Sequence, residues 1–210
     1  MFLFNNYPDL NDFSFLANNF FFWHFLITAY AVGSIPFGLW IGILFYKTDV
    51  RLHGSENIGA TNVVRVLGKV PGGITFLLDS SKGALIATLG WWWFDGSVIT
   101  ALLGGVIAVL GHTRSIFLHF QGGKGVATFF GVLLVLDLRL FGAAVAGWLL
   151  AFLATRTSGI AAIATLLILP VTIFQINGLS LVFGVLGLTC AYIIILHYRN
   201  INQLFSKINV

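Results

Sequence analysis

The sequence predicts an all-α, polytopic integral membrane protein with seven transmembrane helices, and three observations carry that reading. The 210-residue chain is 58% hydrophobic, 9% charged and has a mean hydropathy of +0.96, whereas soluble chains are roughly a quarter charged. Its apolar residues fall in successive long runs that lack the period-2 alternation of a membrane barrel. All of its 11 Lys and Arg except Lys82 lie outside those runs, where in a bilayer protein they set orientation, so the formal charge of +4 calls for no nucleic-acid partner. Cys190 is the single cysteine; it excludes an internal disulfide and reads as a small helix-packing residue.

Residues 1–19 mix Asn and Asp with aromatics and have no Lys or Arg, so they lack the basic start of a cleavable signal peptide and read as an interfacial tail. Residues 20–210 then read as a single seven-helix domain. The first span is Phe20 to Tyr46, with Pro36 inside it. Proline removes a backbone donor, which a bilayer tolerates only where neighbouring groups satisfy the freed carbonyl, so Ser34 is assigned to packing or backbone bonding. The second span, Pro71 to Phe94, ends in Trp91, Trp92 and Trp93 like an interfacial aromatic belt. Asp79 and Lys82 lie three apart within it and are expected to neutralise each other. The remaining spans are Ser97 to Leu110, Val126 to Leu136, Leu140 to Thr155, Ser158 to Phe174 and Leu179 to Leu196.

Charge decides the count. A full span needs about 20 apolar residues, and Val126 to Leu136 is short enough to be merged with the run after it. With seven spans, however, Lys47, Arg51, Arg65, Lys69, Arg114, Lys124, Arg156, Arg199 and Lys207 share one side, with Lys82 close by and only Arg139 opposite. The positive-inside rule then places the N-terminus outside and the C-terminus in the cytoplasm.

Three polar segments consequently face one compartment: Gly54 to Arg65 (GSENIGATNVVR), His112 to Lys124 (HTRSIFLHFQGGK) and His197 to Asn200 (HYRN). Small residues allow close backbone approach, and Ser, Thr, Asn, Arg and Lys supply donors suited to phosphate oxygens. The first segment reads as an anion cradle. A site drawing on all three would hold a small phosphorylated ligand in water and leave an acyl chain in the bilayer. Familiar alternatives lose support: no HxxxxD follows any of the five His, and neither a GxSxG elbow nor a GxxxxGK[ST] loop occurs. His112 and His119 have no third ligand at zinc spacing, so no metal and no cofactor are expected.

GSIPFG at Gly33, GSENIGATNVVR at Gly54, DSSKG at Asp79, LGH at Leu110, GGKGVAT at Gly122 and HxxN at His197 resemble, in order and spacing, the bacterial acyl-phosphate:glycerol-3-phosphate acyltransferase family known as PlsY. The resemblance covers almost all of the chain beyond the tail. It implies a seven-helix inner-membrane enzyme that transfers an acyl group from acyl-phosphate to the 1-hydroxyl of glycerol 3-phosphate, giving lysophosphatidic acid and phosphate. It further implies that Ser55, Arg65 and Lys124 bind phosphate and that His197 and Asn200 serve near the reacting centre. Gly54, Asn57, Gly59, Thr61, Asn62, Gly122 and Gly123 are the expected substrate-binding surround.

The sequence departs from that pattern at Glu56, where the family usually has Gly, at Gln121, where it has Lys, at Arg114 and Ser115, where it has an aromatic-Pro pair, and at Leu196, where it has Arg. An acceptor site altered at these positions, a catalytically lapsed scaffold and an organic-anion transporter are the competing readings. A transporter calls for ionisable groups along a path across the bilayer or for inverted repeats, and here the polar motifs gather at one face.

Overall fold

A computed structural model describes residues 19–201 of the chain; the expected tail up to residue 18, and Lys207, lie outside the described residues. Among those residues the structure is helical without strands. The helices are α1 (Phe20–Ser34), α2 (Phe37–Tyr46), α3 (Ala60–Leu67), α4 (Lys69–Trp93), α5 (Val98–Thr113), α6 (Val126–Leu136), α7 (Leu138–Thr155), α8 (Ser158–Asn177) and α9 (Leu181–Ile195). Two compact units divide at Leu136 and Asp137.

Residues Val98–Leu118, Leu138–Thr155 and Ser158–Asn177 are long and apolar enough to cross a membrane, and α1 with α2 qualify as a pair bent by 41°. At 25 residues, α4 is about 37 Å long, more than a hydrocarbon core of about 30 Å. Its buried Asp79 and Lys82 keep it from reading as a uniformly apolar span. Val126–Leu136 and Leu181–Ile195 are apolar but shorter. The short run stays separate from α7 because Asp137 caps that helix: its Oδ1 accepts the Arg139 N–H at 2.7 Å, and its carboxylate is forked by the same guanidinium.

In the first unit, α1 enters among aromatics. Asn19 caps it by accepting the Phe21 N–H at 2.9 Å, and Phe21, Phe22 and Phe25 pack against Trp93 and Phe94 at the far end of α4. A core of Phe22, Phe25, Ala29, Ile86, Ile99 and Ala108 ties α1, α4 and α5. The opposite end holds a second core, Leu39, Val50, Ile58, Val63 and Leu118. Because Leu118 belongs to the segment after α5 and the others to α2, α3 and their link, this core brings both polar segments of the unit to one end. Lys47, Arg51, Arg65, Lys69, Arg114 and Lys124 sit in or beside those segments, so the basic and aromatic ends of this unit are opposite.

Between the two ends lies the break around Pro36. Val32, the carbonyl that a continuous helix would pair with the missing Pro36 N–H, accepts the Ile35 N–H at 3.2 Å instead. The Ile35 carbonyl accepts from Lys82 Nζ at 3.0 Å, and the Ser34 carbonyl from Ser115 Oγ at 2.6 Å. Ser34 Oγ donates to the Tyr30 carbonyl at 2.8 Å, the backbone bonding assigned to it from sequence. Lys82 Nζ also lies 2.9 Å from Asp79 Oδ1, close enough for an ion pair although not aligned as a hydrogen bond, and both residues are 2% exposed. The expected neutralisation across one helical turn is therefore present, and it also closes the proline break.

In the second unit, α7 and α8 form an antiparallel pair turned by Arg156 in the left-handed region (φ 54). Gly147 meets the Thr165 side chain across that pair. Ser180 caps α9 by accepting the Phe183 N–H at 3.2 Å, and Cys190 is buried in α9 as a free thiol.

Removing Lys82 alone strands a buried carboxylate and a carbonyl. Lys82→Met is expected to cost about 3–5 kcal/mol, and Asp79→Asn added to it recovers part of that loss, as thermal unfolding of the detergent-solubilised protein would register.

Candidate functional site

The Gly54–Arg65 segment is not one continuous loop. Its second half is α3, so Thr61, Asn62 and Arg65 stand on a helix of eight residues. This short helix is amphipathic: Asn62 and Val63 face inward while Thr61, Val64 and Arg65 are exposed.

Asn62 holds the segment together. It is 1% exposed; its Oδ1 accepts the Ser55 N–H at 2.7 Å, and its Nδ2 donates to the carbonyls of Val50, His53 and Asn57 at 2.8, 3.1 and 2.8 Å. The side-chain amide is thereby committed inside the protein. Asn62, expected among the substrate-binding residues, has both ends of its amide occupied by backbone partners in this structure. Asn57 Oδ1 likewise accepts the Gly59 N–H at 2.8 Å, forming a turn that leads into α3.

Gly54 explains why the strand of chain before Ser55 is so close to α3. Its φ is +65, and a side chain there would collide with Asn62 Oδ1 and touch the stem of Arg65. The arrangement lays the aliphatic part of Arg65 over Gly54, next to Ser55. Ser55 and Arg65 are both exposed. Asp49 and Arg51 form the rim of this end: the Arg51 guanidinium bonds Asp49 at 2.7 Å and holds its carboxyl below the usual carboxylate range. The pair's small contribution to stability is present above the ordinary carboxylate pKa near 4 and is lost as pH falls through the lowered value.

The Gly122–Lys124 segment is built differently from an anion nest. The Gly122 N–H donates to the Thr113 carbonyl and the Gly123 N–H to the His112 carbonyl, each at 3.0 Å. Those two N–H groups are spent on the end of α5. The glycines are required for space: a Cβ at Gly122 would strike the His112 carbonyl, and one at Gly123 would strike the His112 ring. Lys124 follows directly, half-buried, just before α6.

His112 is the residue that sequence reasoning left without a role. It is 3% exposed, and its Nδ1 lies 3.5 Å from Asp79 Oδ1, making Asp79, Lys82 and His112 one buried cluster on α4 and α5. The LGH motif was visible, but its partner is 33 positions away in sequence, beyond any periodicity. No group of three His, Cys, Asp or Glu among the described residues is placed to hold a metal.

In the second unit, His197 is 2% exposed and its Nδ1 lies 2.8 Å from the Ile193 carbonyl. A carbonyl only accepts, so Nδ1 carries the hydrogen that is donated to it. The Asn200 N–H donates to the His197 carbonyl at 2.8 Å. Gly159 at the start of α8 lies against the Asn200 side chain, where any Cβ would collide. Gly159 is thus a positioning residue for Asn200 that no motif in the sequence marked.

These features define an all-helical integral membrane protein with a basic, Gly-shaped end. Residues 23–207 match the family model described as glycerol-3-phosphate acyltransferase, and the chain belongs to that family. Glycerol-3-phosphate acyltransferases of Streptococcus pneumoniae strains CGSP14 and Hungary19A-6 are each 40% identical over 191 residues, covering 87% of this chain and 89% of theirs. Two crystal structures of PlsY (YgiH), an integral membrane glycerol 3-phosphate acyltransferase, superpose on this one. The glycerol 3-phosphate form has TM-score 0.83 and 35% identity, the lysophosphatidic acid form 0.79 and 34%, and each match covers 89% of this chain and 92% of the other.

Asn62→Ala leaves one N–H and three carbonyls without their partner. At roughly 1–3 kcal/mol for a buried polar group left unsatisfied, it is expected to destabilise the 50–62 segment enough that its amides exchange with deuterium at least about tenfold faster. Hydrogen exchange resolved by peptide reads this directly, and protected amides in the variant would remove the clamp.

Proposed function

We propose that this protein transfers an acyl group from acyl-phosphate to the 1-hydroxyl of glycerol 3-phosphate, giving 1-acyl-glycerol 3-phosphate (lysophosphatidic acid) and phosphate, at the cytoplasmic face of a bacterial inner membrane. One observation carries the reading: Ser55 and Arg65 are both exposed at the basic end, with the stem of Arg65 lying against Gly54, the residue before Ser55. The relatives are named as glycerol-3-phosphate acyltransferases, and the structural neighbours were solved in glycerol 3-phosphate and lysophosphatidic acid forms.

Seven spans follow if the bent α1–α2 pair counts once and is joined by α4, α5, α6, α7, α8 and α9. An odd count puts the N-terminus outside and the C-terminus in the cytoplasm, and the gathering of cations at one end of the first unit supports the orientation.

In this reading the phosphate role falls to Ser55, Arg65 and Lys124, with Thr61 at the exposed start of α3. Arg supplies a planar fork of donors and Lys a compact charge. An acyl-phosphate is already activated, so the protein's task is to orient two anions and stabilise charge. The glycerol hydroxyl oxygen attacks the acyl carbonyl carbon, the bond from that carbon to the phosphate oxygen breaks, and phosphate departs with the electron pair. The hydroxyl proton passes to a substrate phosphate, which requires no protein base and accords with the lack of HxxxxD. Asn200 donates to the oxyanion that develops, and His197, anchored on Ile193 and accepting the Asn200 N–H through its own carbonyl, orients that turn.

The test is release of phosphate by the purified protein from palmitoyl-phosphate, dependent on glycerol 3-phosphate. Asn200→Ala is expected to lower kcat on the order of a hundredfold with KM nearly unchanged, because the donor acts where charge develops. Lys124→Ala is expected to raise KM for a phosphate-bearing substrate. A normal kcat for Asn200→Ala would take the oxyanion role from that residue, and transport of glycerol 3-phosphate across sealed proteoliposomes without acylated product would overturn the enzyme reading.

Glu56 is exposed and takes φ +57, a left-handed conformation that costs a non-glycine residue roughly 1–2 kcal/mol. Glu56→Gly is expected to raise stability by up to about 1 kcal/mol and to leave KM unchanged or lower, since it also removes a negative charge from an anion-binding end. A higher KM in steady-state kinetics would instead give the carboxylate a part in binding.

A further inference from the structure

We propose that the buried Asp79–Lys82–His112 cluster is a positioning device that holds Gly122, Gly123 and Lys124 in register for phosphate binding, an inference that rests on the phosphate role assigned to Lys124. Three contacts converge on His112. Its ring Nδ1 lies 3.5 Å from Asp79 Oδ1. Its carbonyl receives the Gly123 N–H at 3.0 Å. The Nε2 edge of the ring occupies the space that a side chain on Gly123 would need. His112 therefore grips the residue immediately before Lys124 by its backbone and by its ring, and the ring is faced from α4 by Asp79.

Asp79 is in turn fixed by Lys82 at 2.9 Å, and Lys82 is fixed by the Ile35 carbonyl at 3.0 Å and lies 5.7 Å from the centroid of the Phe37 ring. This anchors the cluster to the bend between α1 and α2. The same bend leads into Gly38, whose missing side chain lets the Ile58 carbonyl of the other polar segment approach α2. Displacing one buried charge would thus move Lys124 on one side and loosen the seat of the Ser55–Arg65 segment on the other. Van der Waals packing would be served equally by an apolar side chain at 112. A polar ring against a buried carboxylate instead specifies one orientation, and a ligand lysine misplaced by about 1 Å loses much of its effect.

The experiment combines exchange and kinetics on the full-length protein in detergent. His112→Ala, with thermal unfolding as a control, is expected to speed amide exchange in peptides covering residues 120–126 about tenfold. It is also expected to raise KM for glycerol 3-phosphate or for palmitoyl-phosphate by about tenfold or more, with a smaller effect on kcat. In the Lys124→Ala background, His112→Ala is expected to change KM less than about twofold, because both substitutions remove the same positioned charge. His112→Asn keeps a short amide toward Asp79 without the ring against Gly123, and serves the same comparison if the alanine variant does not fold. Wild-type exchange at 120–126 in a folded variant, or full additivity with Lys124→Ala, overturns the proposal. Absence of glycerol-3-phosphate-dependent phosphate release in the wild type would sink the enzymatic reading instead, and the exchange measurement would still decide whether the cluster positions the segment.

Discussion

The ammonium of Lys82, buried between Asp79 and the Ile35 carbonyl, is the interaction on which the first unit depends. A proline within a span leaves backbone groups that lipid cannot satisfy, and a carboxylate in the same apolar surroundings is costly unless paired. Each problem answers the other. The lysine neutralises Asp79 while completing the hydrogen bonding at the break, so α1 and α2 can bend by 41° without exposing an orphaned carbonyl to hydrocarbon. Ser115 closes the neighbouring carbonyl of Ser34, and the Tyr30 hydroxyl reaches the Arg114 carbonyl, tying the bend to the end of α5.

That bend places the functional end. By turning at Pro36, the chain delivers Leu39 and the segment after α2 onto Ile58, Val63 and Leu118, which draws the two polar segments of the unit together on an apolar floor. Hydrogen bonds then set the detail. Asn62 spends its whole amide on Ser55, Val50, His53 and Asn57, and the ends of Thr113 and His112 take up the N–H groups of Gly122 and Gly123. The exposed side chains, Ser55 and Arg65 above all, are held on a rigid base whose own polar atoms are occupied. Such division of labour suits the anion binding proposed for this end, which calls for a fixed geometry.

The fold was largely legible because a bilayer admits few solutions: long apolar runs must be helices, and Lys and Arg mark their ends. The helix positions follow the predicted runs, and the Asp79–Lys82 pair is present as its three-residue spacing implied. The family too was legible, because GSENIGATNVVR, GGKGVAT and HxxN recur at characteristic separations. Less visible was how residues within a motif divide their duties. Asn62 and Arg65 stand three apart in one short helix, yet one points inward to clamp backbone and the other outward.

By itself, then, the sequence determined the membrane class, the helical character of the apolar runs and the family, since each rests on composition or on motifs read along the chain. Only the tertiary structure decided that Asn62 clamps, that the Gly122 and Gly123 amides serve α5, that Gly159 makes room for Asn200, and that His112 joins Asp79. Each of these depends on where a buried donor finds its acceptor, or on what stands in the space of a missing side chain. Those questions are settled by groups distant in sequence, because every buried polar atom must find a partner wherever the packing of helices happens to bring one within reach.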